Sequence, residues 1–154
     1  MKIVEIPETT SYFWKLNRKI TYSNWPFNDS DKCNAERMAA AGFYVIGRNE
    51  SDLLLVECFM CEKQLRGWKS DDDPWSKHMK YQLICPFVKL NRQDENKWTM
   101  KELYYLSEMY EMKEYKDKIK KDLAKLKDET DRLNMRKLPL YKLLNKKDKR
   151  SGSY

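Results

Sequence analysis

From Asn96 to Leu138 the chain contains no glycine and no proline, although its 154 residues include four of the first and five of the second. Both residue types interrupt helices, glycine through backbone entropy and proline through its missing N–H. Their absence over so long a run predicts one continuous helix over about residues 99–138, within a segment spanning 96–138. Thr99 and Glu102 can start it as a capping box, the hydroxyl accepting from the backbone of residue 102 and the carboxylate reaching back. Pro139 is expected to stop or kink it. About 39 residues at a 1.5 Å rise make a rod of roughly 58 Å, longer than a small domain can cover.

The apolar positions show what such a helix needs. Ile119, Leu123, Leu126 and Leu133, with Thr130 filling the gap, alternate steps of four and three, the seam of a coiled coil. Nearer the start, Met100, Leu103, Tyr104, Leu106, Met109, Tyr110, Met112 and Tyr115 cover an arc too broad for a single neighbour. Folding back on the chain's own domain accounts for only the first turn or two. Leu103, Leu106, Tyr110, Ile119, Leu123, Leu126 and Leu133 are therefore expected to face partner helices. Trp98, Met100 and Leu103 form a candidate homodimer face when partners are missing.

The chain before this helix is of a different kind. Residues 1–9 read as an arm, and residues 10–95 mix turns with short segments. "TTSYFWKLNR" predicts a short helix with Thr9 or Thr10 near its cap. "NAERMAAAG" predicts another, capped by Asn34 and ended by Gly42 in a left-handed conformation. "FYVI" and "LLLVECF" predict two strands around the turn "GRNESD", and "KQLRGW" a third. "DDDPWSKHMKYQLIC" predicts a helix with Asp73 at its cap and Pro74 at the first helical position. The fold class is α+β, a small domain with a three-stranded antiparallel sheet and short helices, followed by one long helix. No internal repeat is visible.

No stretch approaches the roughly 18 apolar residues that a membrane span needs. The N-terminal "MKIVEIPETT" is interrupted by acids and a proline, unlike a secretory signal. A reducing compartment, cytosol or nucleus, is expected, where four cysteines favour metal or burial over disulfides. Of the net charge of +7, nearly all lies in residues 136–154, with seven basic residues against one acid. Residues 139–154 read as a basic flexible tail suited to nonspecific DNA contact or an import receptor.

The cysteines supply the sharpest local signal. Cys58 and Cys61 are two residues apart, and the chain's only histidine, His78, lies seven residues before Cys85. On one helix, His78 and Cys85 would stand two turns apart on nearly the same side. Three thiolates and one imidazole are a tetrahedral set that Zn²⁺ prefers, with no position left for water or substrate. One structural zinc ion is expected, and no enzyme. The alternatives are an incidental or redox-active pair, but a thioredoxin-like motif sits where a strand enters a helix, whereas this pair lies between strand-like segments. A Cys–His nucleophile would need an exposed thiol beside a base and an oxyanion site, and nothing marks one. Cys33 reads as a small buried hydrophobe.

"NWPF" at 24–27, "RMAAAGFY" at 37–44, "CFMC" at 58–61, "GWKSDDDPWSKH" at 67–78, Cys85 and Arg18 together resemble a baculoviral IAP repeat, the BIR domain, over about residues 10–90. A single repeat followed by one long helix resembles the mitotic branch of that family. The resemblance implies a groove, along the third strand and the following helix, that binds the free N-terminus of a peptide. Asp72 would hold the α-ammonium, Trp68 wall the pocket for a small first side chain, and Leu65 line the groove. Lys63 would face a phosphate further along, near Tyr81. Two residues depart from the mitotic pattern. Arg66 stands where an acid is usual, and Tyr81 where a histidine is.

The implied ligand is a phosphorylated histone H3 tail. The implied helix partners are the inner centromere protein and a borealin-like chain, with an aurora-type mitotic kinase joined indirectly. The implied role is a non-enzymatic adaptor of the chromosomal passenger complex in chromosome segregation and cytokinesis, found in the nucleus at centromeres, at the spindle midzone and in the cytoplasm. The alternative is an apoptosis inhibitor that binds caspases or sequesters pro-apoptotic peptides.

Overall fold

The computed structural model describes residues 5–47, 52 and 54–148, with side chains as far as residue 134. Residues up to Lys113 form one compact unit and those from Glu114 a second.

The first unit opens with α1, Lys15–Ile20. It starts later than "TTSYFWKLNR" suggests, because polar side chains there compete for the backbone. Asn17 Nδ2 donates to the carbonyls of Thr9 (2.6 Å) and Ser11 (2.8 Å), and Trp14 Nε1 to that of Glu8 (3.1 Å). Residues 9–14 are therefore turns and bends, and neither Thr9 nor Thr10 caps the helix. Helix α2, Ala35–Ala40, forms as its sequence predicts, with Asn34 Oδ1 accepting from the Arg37 amide at 2.9 Å. Gly42 follows at φ +91°, where a Cβ would also come within 3.0 Å of the Phe87 ring. Both constraints demand glycine.

Three short strands make one antiparallel sheet in the order β1-β2-β3: β1 Phe43–Val45, β2 Val56–Cys58 and β3 Gln64–Leu65. Phe43 pairs with Cys58, and Val56 with Leu65. The strands are shorter than the apolar runs that suggested them, and residues 48–51 of the first turn lie outside the described residues. Between β2 and β3 the chain reverses tightly, with Glu62 at φ +60° and its amide donating to the Cys58 carbonyl at 3.0 Å.

Helix α3, Pro74–Tyr81, begins as predicted, with Asp73 Oδ1 accepting from the Ser76 amide at 2.8 Å. It does not reach Cys85. A residue before proline is pushed out of the helical region, and Cys85, which precedes Pro86, sits at φ −58°, ψ 127°. It caps a separate helix, α4, Pro86–Leu90.

Phe13, Met38, Phe43, Phe59 and Phe87 form the core, and among them lies Arg18 with no exposure to water. Its Nε donates to the Ala39 carbonyl (2.9 Å), its Nη1 to those of Tyr12 (2.9 Å) and Phe13 (2.5 Å), and its Nη2 to Glu95 Oε1 (3.1 Å). The guanidinium carbon stands 4.4 Å from the centroid of the Phe59 ring.

Helix α5, Met100–Asp148, carries the predicted capping box. Glu102 Oε2 accepts from the Thr99 amide at 2.7 Å, and the Glu102 amide donates to Thr99 Oγ1 at 3.3 Å. Two expectations change. Leu106 and Tyr110 are buried, at 0% and 7% exposure, with the Tyr110 ring 5.4 Å from Phe13. Lys113 Nζ donates to the Phe59 carbonyl at 2.8 Å. The helix therefore completes the domain's own core over more than the first two turns, and Leu106 and Tyr110 leave the partner face. Leu103 and Trp98 are half-buried against the same core, while Met100 is exposed.

The helix also continues through Pro139 to Asp148, so residues 139–148 are not a flexible tail. A mid-helix proline costs about 3 kcal/mol, but no glycine follows before Gly152 and the intervening residues favour helix. Residues 149–154 lie outside the described residues.

In the second unit, Ile119, Leu123, Leu126 and Leu133 are 56–60% exposed. Thr130, which interrupts the seam, turns its hydroxyl onto the Leu126 carbonyl at 2.8 Å, so its methyl can serve the apolar stripe. Among the described residues no helix is long and apolar enough to cross a membrane.

Arg18→Ala should lower unfolding free energy by roughly 3–5 kcal/mol, the range for breaking a buried charge pair, as read from urea denaturation. A loss below about 1 kcal/mol, the scale of an exposed pair, would show that the guanidinium is replaceable.

Candidate zinc centre and peptide groove

Four segments meet at the cysteine–histidine cluster. Cys58 ends β2, Cys61 lies in the reversal that follows, His78 is in α3, and Cys85 caps α4. Their ligand atoms lie within 4.8 Å of one another. The cluster is the one expected, although Cys85 arrives from the head of a new helix and not from the second turn beyond His78.

His78 is fully buried, and its Nδ1 stands 2.8 Å from the Ala41 carbonyl. A carbonyl can only accept, so Nδ1 carries the proton and Nε2 is left with its lone pair. Nε2 is 3.6 Å from Cys61 Sγ. The Met60 amide adds a hydrogen bond to Cys58 Sγ at 3.4 Å.

Three thiols packed this closely do not ionise alike. Hydrogen bonds from Cys58 and Cys61 bring the Cys85 thiol down to about 4. Burial, followed by the bonds with Cys61 and Cys85, pushes Cys58 well above the ordinary thiol range. Holding all three as thiolates requires a dication among them. The donor set, its enclosure and the oriented imidazole fit one structural zinc ion with four protein ligands. Cys33 stands apart, fully buried with its sulfur 3.6 Å from that of Met38, and burial pushes its thiol up to about 12. It behaves as a small hydrophobe.

The proposed groove residues occupy the neighbouring elements. Leu65 is half-buried in β3, at the sheet edge, and Lys63 is half-buried just before it. Tyr81 is exposed at the last position of α3, with Lys80 Nζ 5.5 Å from its ring centroid. Arg66 and Lys69 are exposed between β3 and α3. Asp73 is committed to its helix cap and to Arg37, 2.7 Å away.

Trp68 and Asp72 are joined through Lys77, a residue that no sequence motif singles out. Asp72 Oδ2 accepts from the Lys69 amide at 2.8 Å and from Lys77 Nζ at 2.5 Å. The Lys77 ammonium also lies 4.7 Å from the centroid of the Trp68 ring. Trp68 retains only 4% exposure, its Nε1 has no hydrogen-bond partner, and its ring meets Phe43 edge-on at 5.6 Å. Burial raises the Asp72 carboxyl, but the bonds from Lys77 and the Lys69 amide outweigh it and hold the group below its ordinary value.

A signal for this contact was present. Asp72 precedes the Asp73 cap and Lys77 is the fourth residue of α3, the two positions that face each other across a helix start and usually hold an apolar pair. Here they hold an ion pair.

Residues 18–89 match the BIR family, described as the Inhibitor of Apoptosis domain. The chain is 40% identical over 91 residues to Baculoviral IAP repeat-containing protein 5 of Cavia porcellus, covering 58% of this chain and 63% of the relative. It is 38% identical over 96 residues to the protein of the same name in Rattus norvegicus, covering 62% and 66%. It is 43% identical over 76 residues to Baculoviral IAP repeat-containing protein 5.1-B of Xenopus laevis, covering 49% and 46%. The matched regions thus span less than two thirds of these relatives' lengths.

Zinc removal by a chelator, or Cys58→Ser, should abolish the cooperative thermal transition of residues up to about 95, because small metal domains fold with their ion. Circular dichroism with zinc content measured in parallel checks this. A cooperative melt of the metal-free chain near the temperature of the zinc form would contradict it.

Proposed function

We propose that this chain is a survivin-like, non-enzymatic adaptor subunit of the chromosomal passenger complex, which reads a histone N-terminal tail through its zinc domain and scaffolds a mitotic kinase through α5. The observation that carries this reading is the seam Ile119, Leu123, Leu126 and Leu133, more than half exposed on a helix with few other apolar residues there. Such a stripe buries its area only against other helices. The kinship with protein 5 relatives supports helices of the inner centromere protein and a borealin-like chain as the occupants, with an aurora-type kinase joined through them. Leu103 contributes where it remains half-exposed. In the absence of partners, Met100 with the edges of Trp98 and Leu103 is the homodimer face.

The zinc domain supplies the second contact. Lys63, Leu65, Trp68, Asp72 and Tyr81 border β3 and α3, where an extended peptide can add to the sheet edge and place its ammonium near Asp72. A phosphorylated histone H3 tail fits, with Lys63, Arg66 and Lys69 supplying positive charge for the phosphate. The basic residues between 136 and 150 add salt-dependent contact with DNA. This reading puts the protein in the nucleus, at centromeres and then the midzone, with a cytoplasmic pool. A free N-terminus on a pro-apoptotic peptide has the same ammonium chemistry, and the name of the family domain favours testing that second reading alongside.

Leu123→Glu combined with Leu126→Glu should weaken capture of the two partner helices by more than about tenfold, the scale of losing interface anchors. Zinc content and domain melting should stay unchanged. In dividing cells the variant should lose its centromere signal. Undiminished capture and localisation would exclude the seam.

Asp72→Ala should weaken binding of a free-ended histone H3 tail peptide by about tenfold or more, the value of a charge-assisted bond, with no effect on its N-acetylated form. Equal affinities in a fluorescence titration would remove Asp72 from the groove. Tighter binding of a pro-apoptotic peptide than of the histone tail would favour the apoptosis-inhibitor reading.

A further inference from the structure

We propose that the ammonium of Lys77 is a built-in occupant of the groove's ammonium seat, and that a peptide N-terminus binds by displacing it. The inference rests on the groove reading above and deepens it, since it assigns the residue that sets affinity and selectivity there.

A primary ammonium is held best by a carboxylate on one side and an aromatic face on another. Lys77 Nζ has both, Asp72 Oδ2 at 2.5 Å and the Trp68 ring centroid at 4.7 Å. A peptide α-ammonium is chemically the same group and needs the same two partners. While Lys77 is seated, the acid is already neutralised and the indole is only 4% exposed. Neither neighbouring acid offers a second seat, because Asp73 holds its helix cap and Arg37 while Asp71 is exposed to solvent. The seat is closed but not sealed. The side chains of Lys77 and Asp72 retain 27% and 19% exposure, so water reaches the pair and exchange is feasible. Lys77 is the fourth residue of α3, and its four-carbon stem can swing outward without moving the helix.

Selectivity follows from what happens to the displaced charge. Once unseated, Lys77 is a free cation at the mouth of a groove already bordered by Lys63, Arg66 and Lys69. A peptide bearing only an amino terminus leaves that charge uncompensated. A peptide with a phosphate or carboxylate within its first few residues gives it a partner. The favoured ligand class is therefore a free amino terminus followed closely by an anionic side chain, with ammonium and anion acting together.

The test uses the zinc-loaded full chain and short peptides beginning with alanine, prepared with free or N-acetylated ends and with or without a phosphothreonine near the start. In calorimetric titrations, Lys77→Gln should bind the unphosphorylated free-ended peptide roughly three- to tenfold more tightly than the wild type, the scale of a half-exposed ion pair with a cation–π contact. Lys77→Arg should stay near the wild type. The benefit of phosphorylation should shrink in Lys77→Gln, and N-acetylated peptides should not bind any form. Equal or weaker binding by Lys77→Gln, with zinc content intact, would overturn the inference and leave the groove standing. No binding of free-ended peptides by either form would remove the groove reading and this inference with it.

A measurement without substitution tests the same exchange. The ¹⁵N-detected ammonium resonance of Lys77, slowed in exchange while it is seated, should disappear or shift on adding the free-ended phosphopeptide but not its acetylated form. An unmoved resonance at saturation would overturn the inference.

Discussion

A guanidinium removed from water must find hydrogen-bond acceptors for its donors and a counter-charge, or it costs several kcal/mol. Arg18 finds both at the centre of the zinc domain, and the rest of the unit is arranged around that requirement. Its acceptors come from the turns before α1, from the last turn of α2 and from Glu95 just ahead of α5. Burial lowers the Arg18 pKa and the nearby Glu95 carboxylate raises it back in part. Glu95 also accepts from the Lys15 amide at 2.5 Å, which ties the start of α1 to the approach to α5. The Ala39 carbonyl bound by Arg18 lies two residues before the Ala41 carbonyl that orients His78. One helix end therefore serves both the buried charge and the metal site.

The zinc ion has a different task. Strands of three, three and two residues are too short to hold register by their own ladders. The metal joins the end of β2, the reversal, α3 and α4 at one point, and so fixes β3 between two ligated segments. The residues proposed to border a peptide sit on those same segments. Lys63 and Leu65 lie two and four residues after Cys61, and Lys77 precedes His78, so the staple that stabilises the sheet also positions these side chains.

What the sequence made legible was local. Asn34, Asp73 and the Thr99–Glu102 box cap the helices they were expected to cap, because each depends on a few consecutive residues. The four zinc ligands were legible from residue type and spacing, although α3 ends at Tyr81 and Cys85 comes from the head of α4. What stayed hidden was tertiary. A helical wheel places Leu106 and Tyr110 on an apolar arc but cannot distinguish the chain's own Phe13 and Phe59 from a partner's side chains. Arg18 was visible as part of a motif, yet its burial follows from carbonyls of two other segments and the carboxylate of Glu95. The Lys77–Asp72 pair escaped because a charge one turn into a helix is usually solvated, and only the Trp68 ring beneath it makes the position special. Pro139 was expected to stop or kink the helix, and it does not stop it, because a single lost N–H is outweighed when strong helix formers follow.

The burial of Leu106 and Tyr110 also bears on where the repeat ends as a physical body. By kinship the repeat closes at residue 89, yet the compact unit reaches Lys113. A chain cut between those two points would keep every zinc ligand and still uncover Phe13 and Phe59. Such a fragment would be a metal-loaded but sticky species, marked for chaperones or proteases. The core that includes Leu106 and Tyr110 lies wholly before Glu114, so the preceding turns of the same helix belong to it and the later ones do not.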